Sequence, residues 1–439
     1  MRSVWSTVGL VVVLGGLVGY IYFVDSKSEP TAAEAKQKAF GGTLSTADIE
    51  EVQITLVGAE TARLQKSDGK WQLVAPTQAP ADENELTSIT SSLSSLEIQR
   101  VVNESAGDVQ KYGLDPARIQ VSFRSKGQKE PLKIDLGEKT PTGGDLYARI
   151  PGQKRVFLVS SYLDSTFNKT PFALRDKAIL KIERDKVDGV ELTSVSTTIQ
   201  LAKKGSDWAL VKPIAARADF AAVEGALERL STAQMVGITE PDATNLAKYG
   251  LDKPTATMTV AMGSSRATVT LGKTDNAVVF AKDASRPMVF TVAPTLREDV
   301  IKMISDFRRK DLFDGRSFTA THAEFRRGSE TIVLDKTKGK DNKDVWRTSA
   351  GKDVDAAKVD ELLSKITGLR AASFESQRHA SLKMPVLTVT LRFGDNKMET
   401  VTFGRAGADV FAGRADEPGA AKLEGMGLDE GMKAVDALK

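Results

Sequence analysis

The hydrophobic pattern opens with one long apolar run and then breaks into short periodic segments. Val4 to Val24 reads VWSTVGLVVVLGGLVGYIYFV, 21 residues without a charge, which as a helix spans about 31 Å and matches the hydrocarbon core of a bilayer. A cleavable signal peptide has a shorter apolar region followed by a small-x-small site. This run is longer and ends in Tyr20, Ile21, Tyr22 and Phe23, so residues 1–24 are expected to form an uncleaved signal-anchor helix. Arg2 precedes the run, while Asp25, Lys27 and Glu29 follow it without net positive charge. The basic flank places the N-terminus in the cytoplasm and the bulk of the chain in the periplasm, as a single-pass protein of the inner membrane. Gly15 and Gly19 form a GxxxG pair that suits close packing against a second helix. Residues 25–47 are polar and Ala-rich, and read as a tether.

From residue 48 the pattern switches between period two and period 3.6, and it does so three times. Trp71, Trp208 and Trp346 stand 137 and 138 residues apart, each after a polar turn: SDGKW, KGSDW and NKDVW. A strand-like segment precedes each turn, so each Trp opens the second strand of a hairpin and anchors a sheet core. A helix follows each hairpin. Asp82, Asp219 and Asp355 hold N-cap positions, where a short carboxylate accepts from the free N–H groups of the first turn. Glu85 adds a capping-box pattern to the first. Helical spacing follows in Leu86, Ile89, Leu93 and Leu96; in Phe220, Val223, Leu227 and Leu230; and in Val359, Leu362, Leu363, Ile366 and Leu369.

KYGLDP at Lys111 to Pro116 recurs as KYGLDKP at Lys248 to Pro254 and is reduced to SLKMP at Ser381 to Pro385. Gly113 and Gly250 read as left-handed stops, with Pro close behind, and Tyr112 and Tyr249 as packing residues beside them. Alternating strands follow, RIQVSF with LKIDLG, ATMTV with ATVTLG, and VLTVTLRF with ETVTFG, expected to end at Gly137, Gly272 and Gly404. A helical segment closes each unit. In the first two it leads into LRDKAIL, Leu174 to Leu180, and FRRKDLF, Phe307 to Phe313. The expected architecture is α+β: an N-terminal transmembrane helix and three tandem repeats with mostly antiparallel sheets, over residues 48–180, 181–314 and 315–439.

Charge and composition narrow the chemistry. Lys plus Arg number 61 against 58 Asp plus Glu, a net +3 over 439 residues, too little for an electrostatic nucleic-acid binder. The chain has no Cys, which excludes disulfides, thiol catalysis and zinc-thiolate sites. LGKT at Leu271 to Thr274 fails as a phosphate loop because Ala267 stands where a Gly is required. His322 and His379 lie in no nucleophile or metal motif, and both read as ordinary surface or partly buried residues. No catalytic residue, cofactor or metal site is expected; glycoside hydrolysis needs only two carboxylates, and the 58 acidic residues leave that option open by composition.

The anchor, the repeated Trp hairpin, KYGLD(x)P and the LRDK-like junction together resemble the bacterial domain-of-unknown-function 4340 family, over residues 48–439. The resemblance implies an envelope protein that accompanies ABC-type transport systems related to gliding-motility exporters, and it brings no catalytic residues. The expected function is that of a non-catalytic accessory or scaffold whose partners are the inner membrane and ABC-type transporter components. The alternatives are a periplasmic binding module for cell-wall glycan or another envelope ligand, and, third, a hydrolase with unrecognised carboxylates. The oligomeric state stays open.

Overall fold

The computed structural model describes residues 37–41, 44–195, 197–339 and 342–438. The expected anchor, with Gly15 and Gly19, lies outside the described residues, as does the tether up to residue 36. Among the described residues no helix is long and apolar enough to cross a membrane. The chain forms two compact bodies divided between Lys177 and Ala178.

The first body is built on one nine-stranded sheet. Its strands are β1 (Ile49–Leu56), β2 (Ala62–Ser67), β3 (Lys70–Ala75), β4 (Ala79–Pro80), β5 (Arg100–Asn103), β6 (Ile119–Ser125), β7 (Leu132–Lys139), β8 (Asp145–Arg149) and β9 (Val156–Ser160). Their spatial order is 4-3-2-1-6-7-8-9-5, and every neighbouring pair is antiparallel. The order resolves into two four-stranded meanders, β1–β4 and β6–β9, joined along β1 and β6. Helix α1 (Glu83–Ser94) follows the first meander and the short α2 (Tyr162–Phe167) and α3 (Pro171–Leu174) follow the second.

Alternation decides which face is buried. Along β6, Ile119, Val121 and Phe123 are buried while Gln120, Ser122 and Arg124 are half-exposed, the period-two signature of a sheet covered on one side. Leu86, Ile89 and Leu93 of α1 are buried in the same core as Trp71, Val52, Ile54 and Phe123. Burial of each such side chain contributes about 2 kcal/mol.

The second body holds two more nine-stranded sheets with the same strand order. One runs from the edge pair Ala216–Arg217 through Asp207–Lys212, Thr198–Lys204, Gly189–Ser194, Ala256–Met262, Ser265–Asp275, Val278–Asp283 and Val289–Val292 to Gly237–Glu240. The other runs from Asp353–Val354 through Asp344–Thr348, Glu330–Lys338, Ala320–Arg327, Leu387–Phe393, Lys397–Ala406, Asp409–Arg414 and Ala420–Leu423 to Ser373–Glu375. Helices α4 (Phe220–Thr232) and α5 (Pro294–Asp306) belong to the first of these, and α6 (Ala356–Thr367) and α7 (Gly425–Asp436) to the second. The chain is thus α+β with three equivalent antiparallel sheets.

Two expectations need correction. The strands do not stop at Gly137, Gly272 and Gly404 but run through them to Lys139, Asp275 and Ala406. The stretch read as a tether is packed at Gln37–Phe40: Ala39 N–H donates to Leu96 O at 2.9 Å, Ile98 N–H donates to Gln37 O at 2.9 Å, and the Phe40 ring meets Phe123 edge-on at 4.9 Å.

Candidate functional site

The three tryptophans are buried. Each faces a lysine directly across its hairpin, Lys66 with Trp71, Lys203 with Trp208 and Lys336 with Trp346, and each ammonium lies 5.0–6.0 Å from the ring centroid. A lysine stem covers the ring and its charge meets the π face. The tryptophans therefore serve the core and present no stacking surface.

The three aspartates sit at helix starts and accept backbone N–H groups. Asp82 Oδ1 accepts from Asn84 and Glu85 at 3.1 and 3.2 Å, Asp219 from Ala222 at 2.9 Å and Asp355 from Ala357 at 2.9 Å. The capping-box pattern at Glu85 is not completed. Its carboxylate pairs with Lys169 at 2.9 Å, because the Asp82 N–H it would have accepted is given to Leu174 O at 2.9 Å.

That last bond belongs to a repeated arrangement. The segment leaving a unit lies antiparallel beside the residues that precede its capped helix. In the first body Arg175 bridges Ala81, and Asp176 N–H donates to Pro80 O at 2.8 Å. In the second body Arg308 bridges Ala218, Asp219 N–H donates to Phe307 O at 2.8 Å and Arg309 N–H to Arg217 O at 3.0 Å. Leu174 and Phe307 are buried.

A matching arrangement receives each incoming segment, beside the residues that follow the capped helix. Lys38 bridges Glu97, Ala178 bridges Gln234 and Asp311 bridges Arg370. Two residues on, Phe40, Leu180 and Phe313 turn into their cores. The sequence carries a signal for this: QKAF at Gln37 to Phe40 parallels KAIL at Lys177 to Leu180 and KDLF at Lys310 to Phe313, each ending in the large apolar residue that enters the core.

The KYGLD(x)P segments explain the strand glycines. Gly113 and Gly250 are left-handed, with φ of 67° and 68°. Their loops lie so close to the next hairpin that a Cβ on Gly137, Gly272 or Gly404 would come within 3.0 Å of the backbone of Tyr112, Tyr249 or Ser381, where Cβ atoms essentially never sit. Tyr112 packs on Tyr147 and Tyr249 on Phe280, at 4.8 and 5.0 Å between centroids. In the third copy, which lacks the Tyr, His379 stacks on Phe411 at 3.7 Å. Its Nδ1 accepts the Ser381 N–H at 3.2 Å. The other histidine, His322, pairs with Asp335 at 2.7 Å across a hairpin.

Sequence reasoning missed a charge cluster where the second body's two sheets meet, with Glu399, Arg414 and Glu417 buried at its centre. Arg217 donates from Nε to Glu417 Oε1 at 2.6 Å, from Nη1 to Asp314 at 2.7 Å and from Nη2 to Asp311 O at 2.8 Å. Arg308 reaches the second oxygen of Glu417 at 3.0 Å. Arg414 donates to Glu399 and to Leu312 O, both at 2.7 Å, and pairs with Asp416 at 2.9 Å. Burial works to lower the Arg414 pKa, but Asp416 and Glu399 outweigh it and hold the guanidinium above its ordinary value. Burial works to raise Asp314, yet Arg217, Arg309 and Arg414 hold that carboxyl below the usual range. Each oxygen in the cluster is engaged in holding a linker or a strand. Among the described residues no group of three or more His, Asp or Glu side chains is placed to hold a metal ion.

The family model described as "Domain of unknown function (DUF4340)" matches the chain twice, over residues 71–209 and 208–385. The chain belongs to this family. In the DUF4340 frame each match begins at a hairpin tryptophan, Trp71 or Trp208, so the family boundary falls within a sheet rather than between sheets. No curated protein matches the chain. Among solved structures, a Pseudomonas aeruginosa DNA polymerase sliding clamp with ligand shares 8% identity over 88% of this chain and 93% of that one, at a TM-score of 0.15. The DNA polymerase III subunit beta of the same organism shares 7% over 86% and 92%, also at 0.15. Likenesses at this level carry nothing over to this chain.

Proposed function

We propose that this protein is a non-catalytic scaffold of the bacterial envelope, anchored in the inner membrane by residues 1–24 and accessory to an ABC-type export or gliding-motility-like transport system. The observation that supports the scaffold reading is the use of charged groups. The aspartates that recur at helix starts cap backbone N–H groups, and the half-buried Arg217 and Arg308 and the buried Arg414 are matched by Glu417, Asp314, Glu399 and Asp416. Catalytic carboxylates need a perturbed, substrate-facing environment. Ones tied to linkers serve rigidity. The membrane and transporter parts of the proposal rest on the Val4–Val24 run and on family resemblance.

In-cell crosslinking of the full chain, with mass-spectrometric identification of partners, tests this reading. Recovery of permease and ATPase subunits is the expected result. Crosslinks dominated by cell-wall glycan, or none to transporter components, would overturn it.

A further inference from the structure

Each sheet carries an edge just before its capped helix, and among the described residues two of the three edges are covered. In the first body the outgoing residues Leu174–Arg175–Asp176–Lys177 lie on Pro80–Asp82, and in the second body Phe307–Arg308–Arg309–Lys310 lie on Arg217–Asp219. The covering shows in exposure: Ala81 and Ala218, the residues opposite the two arginines, are each 5% exposed. The third edge, Asp353–Asp355, has the same inner geometry. Val354 pairs with Trp346 and Asp355 caps α6. Among the described residues its outer side is open. Val354 is half-buried, and Asp353 and Asp355 are exposed. Among the described residues nothing accepts the Asp355 N–H or donates to the Asp353 carbonyl, the atoms bonded in both other copies.

We propose that the Asp353–Asp355 edge docks an extended segment of a partner protein, one with an apolar residue followed by Arg-x-Lys, added as an antiparallel strand. The occupants of the two equivalent edges define this chemistry, since LRDK and FRRK share only those features. Charge agrees with it. In the first copy Lys177 Nζ lies 3.4 Å from the cap carboxylate of Asp82, and the third edge carries the equivalent cap carboxylate of Asp355, exposed, beside Asp353, which pairs with Arg347 at 2.7 Å. Strand addition of this kind draws affinity from main-chain hydrogen bonds and specificity from alternate side chains. An open edge is otherwise a liability that proteins cover or charge.

The inference sharpens the scaffold reading to a strand-donating protein partner but stands on the edge alone. Its failure would leave the crosslinking result untouched. The test uses a fluorescein-labelled peptide of residues 171–180, PFALRDKAIL, titrated against the full chain by anisotropy, with hydrogen exchange locating the site. Saturable binding is expected, with protection of the Asp355 amide, and a peptide with Glu in place of both Arg and Lys should bind at least tenfold more weakly. Asp355→Ala loses the cap but keeps the N–H and should retain binding. Asp355→Pro removes the N–H and should weaken binding at least tenfold. Absence of saturable binding, equal binding by Asp355→Pro and the parent, or protection elsewhere would overturn the proposal. So would self-association of the chain that is abolished by Asp355→Pro, because it would assign the edge to a second copy.

Discussion

The carbonyl group of Tyr112 occupies the space where a side chain on Gly137 would begin. Tyr249 stands in the same relation to Gly272, and Ser381 to Gly404. A strand residue is thus fixed as glycine by a loop 23 to 25 residues before it, and the glycine persists in the third copy although the Tyr-Gly pair there is gone.

Gly272→Ala should therefore destabilise the second body by about 3 kcal/mol, the upper range for overpacking, because the obstructing atom is backbone and cannot rotate away. Gly107→Ala, with nothing within 4 Å of its added Cβ, should stay within about 0.5 kcal/mol of the parent. Urea unfolding of both variants checks the contrast.

Replacing Asp219 by Ala removes an acceptor from the first turn of α4 and should cost about 1 kcal/mol. Asp219→Asn should recover most of the loss, since an amide oxygen can still accept. Hydrogen exchange across Phe220–Thr232 reads the effect locally.

Glu417 is a buried acceptor for both Arg217 and Arg308. Glu417→Ala leaves two guanidinium groups short of a counter-charge, and breaking a buried pair from one side costs about 3–5 kcal/mol. Faster exchange at Leu312 and Arg309 should accompany the loss of stability.

Acid should weaken the same region. The Asp314 pKa is lowered in the fold, burial being outweighed by Arg217, Arg309 and Arg414, and Asp416 is lowered by Arg414 in the same way. A depressed carboxyl contributes stability that is present above its unfolded pKa of about 4 and is lost as pH falls through the folded value. Urea midpoints should hold from pH 7 to 5 and drop below pH 4, and Asp314→Asn should be less stable at pH 7 with a flatter acid limb.

His379 takes over a ring contact made by tyrosine in the other copies. Its ring is 7° from parallel to Phe411, and aromatic pairs contribute about 0.5–1.5 kcal/mol beyond burial. His379→Ala should lose that contact and the cap on Ser381. His379→Phe should keep the stack and lose only the cap, so thermal unfolding should place it between His379→Ala and the parent.

What was legible in the sequence is local. Helix starts are written in Asp82, Asp219 and Asp355 because a cap needs only a short acceptor two or three residues before its donors. Left-handed stops are written in Gly113 and Gly250 because the φ requirement belongs to a single residue. The triplication is written in the spacing of Trp71, Trp208 and Trp346. The capping box at Glu85 misled for a nonlocal reason: Leu174, 92 residues beyond the cap, takes the Asp82 N–H.

The chain by itself determined three copies of a strand-rich unit, the faces that each strand and helix bury, and the absence of thiol chemistry. Only the tertiary structure decided that each copy is two meanders joined through their first strands, that a single linker serves one unit with its first half and the next with its second, and that no described residue pairs with the outer side of one copy's edge. These depend on partners far apart in the chain, such as Arg217 and Glu417 at a separation of 200 residues. Hydrophobic period and capping chemistry act over a few residues. Pairing across a sheet edge depends on which segments the fold brings together, and no short stretch of sequence carries that choice.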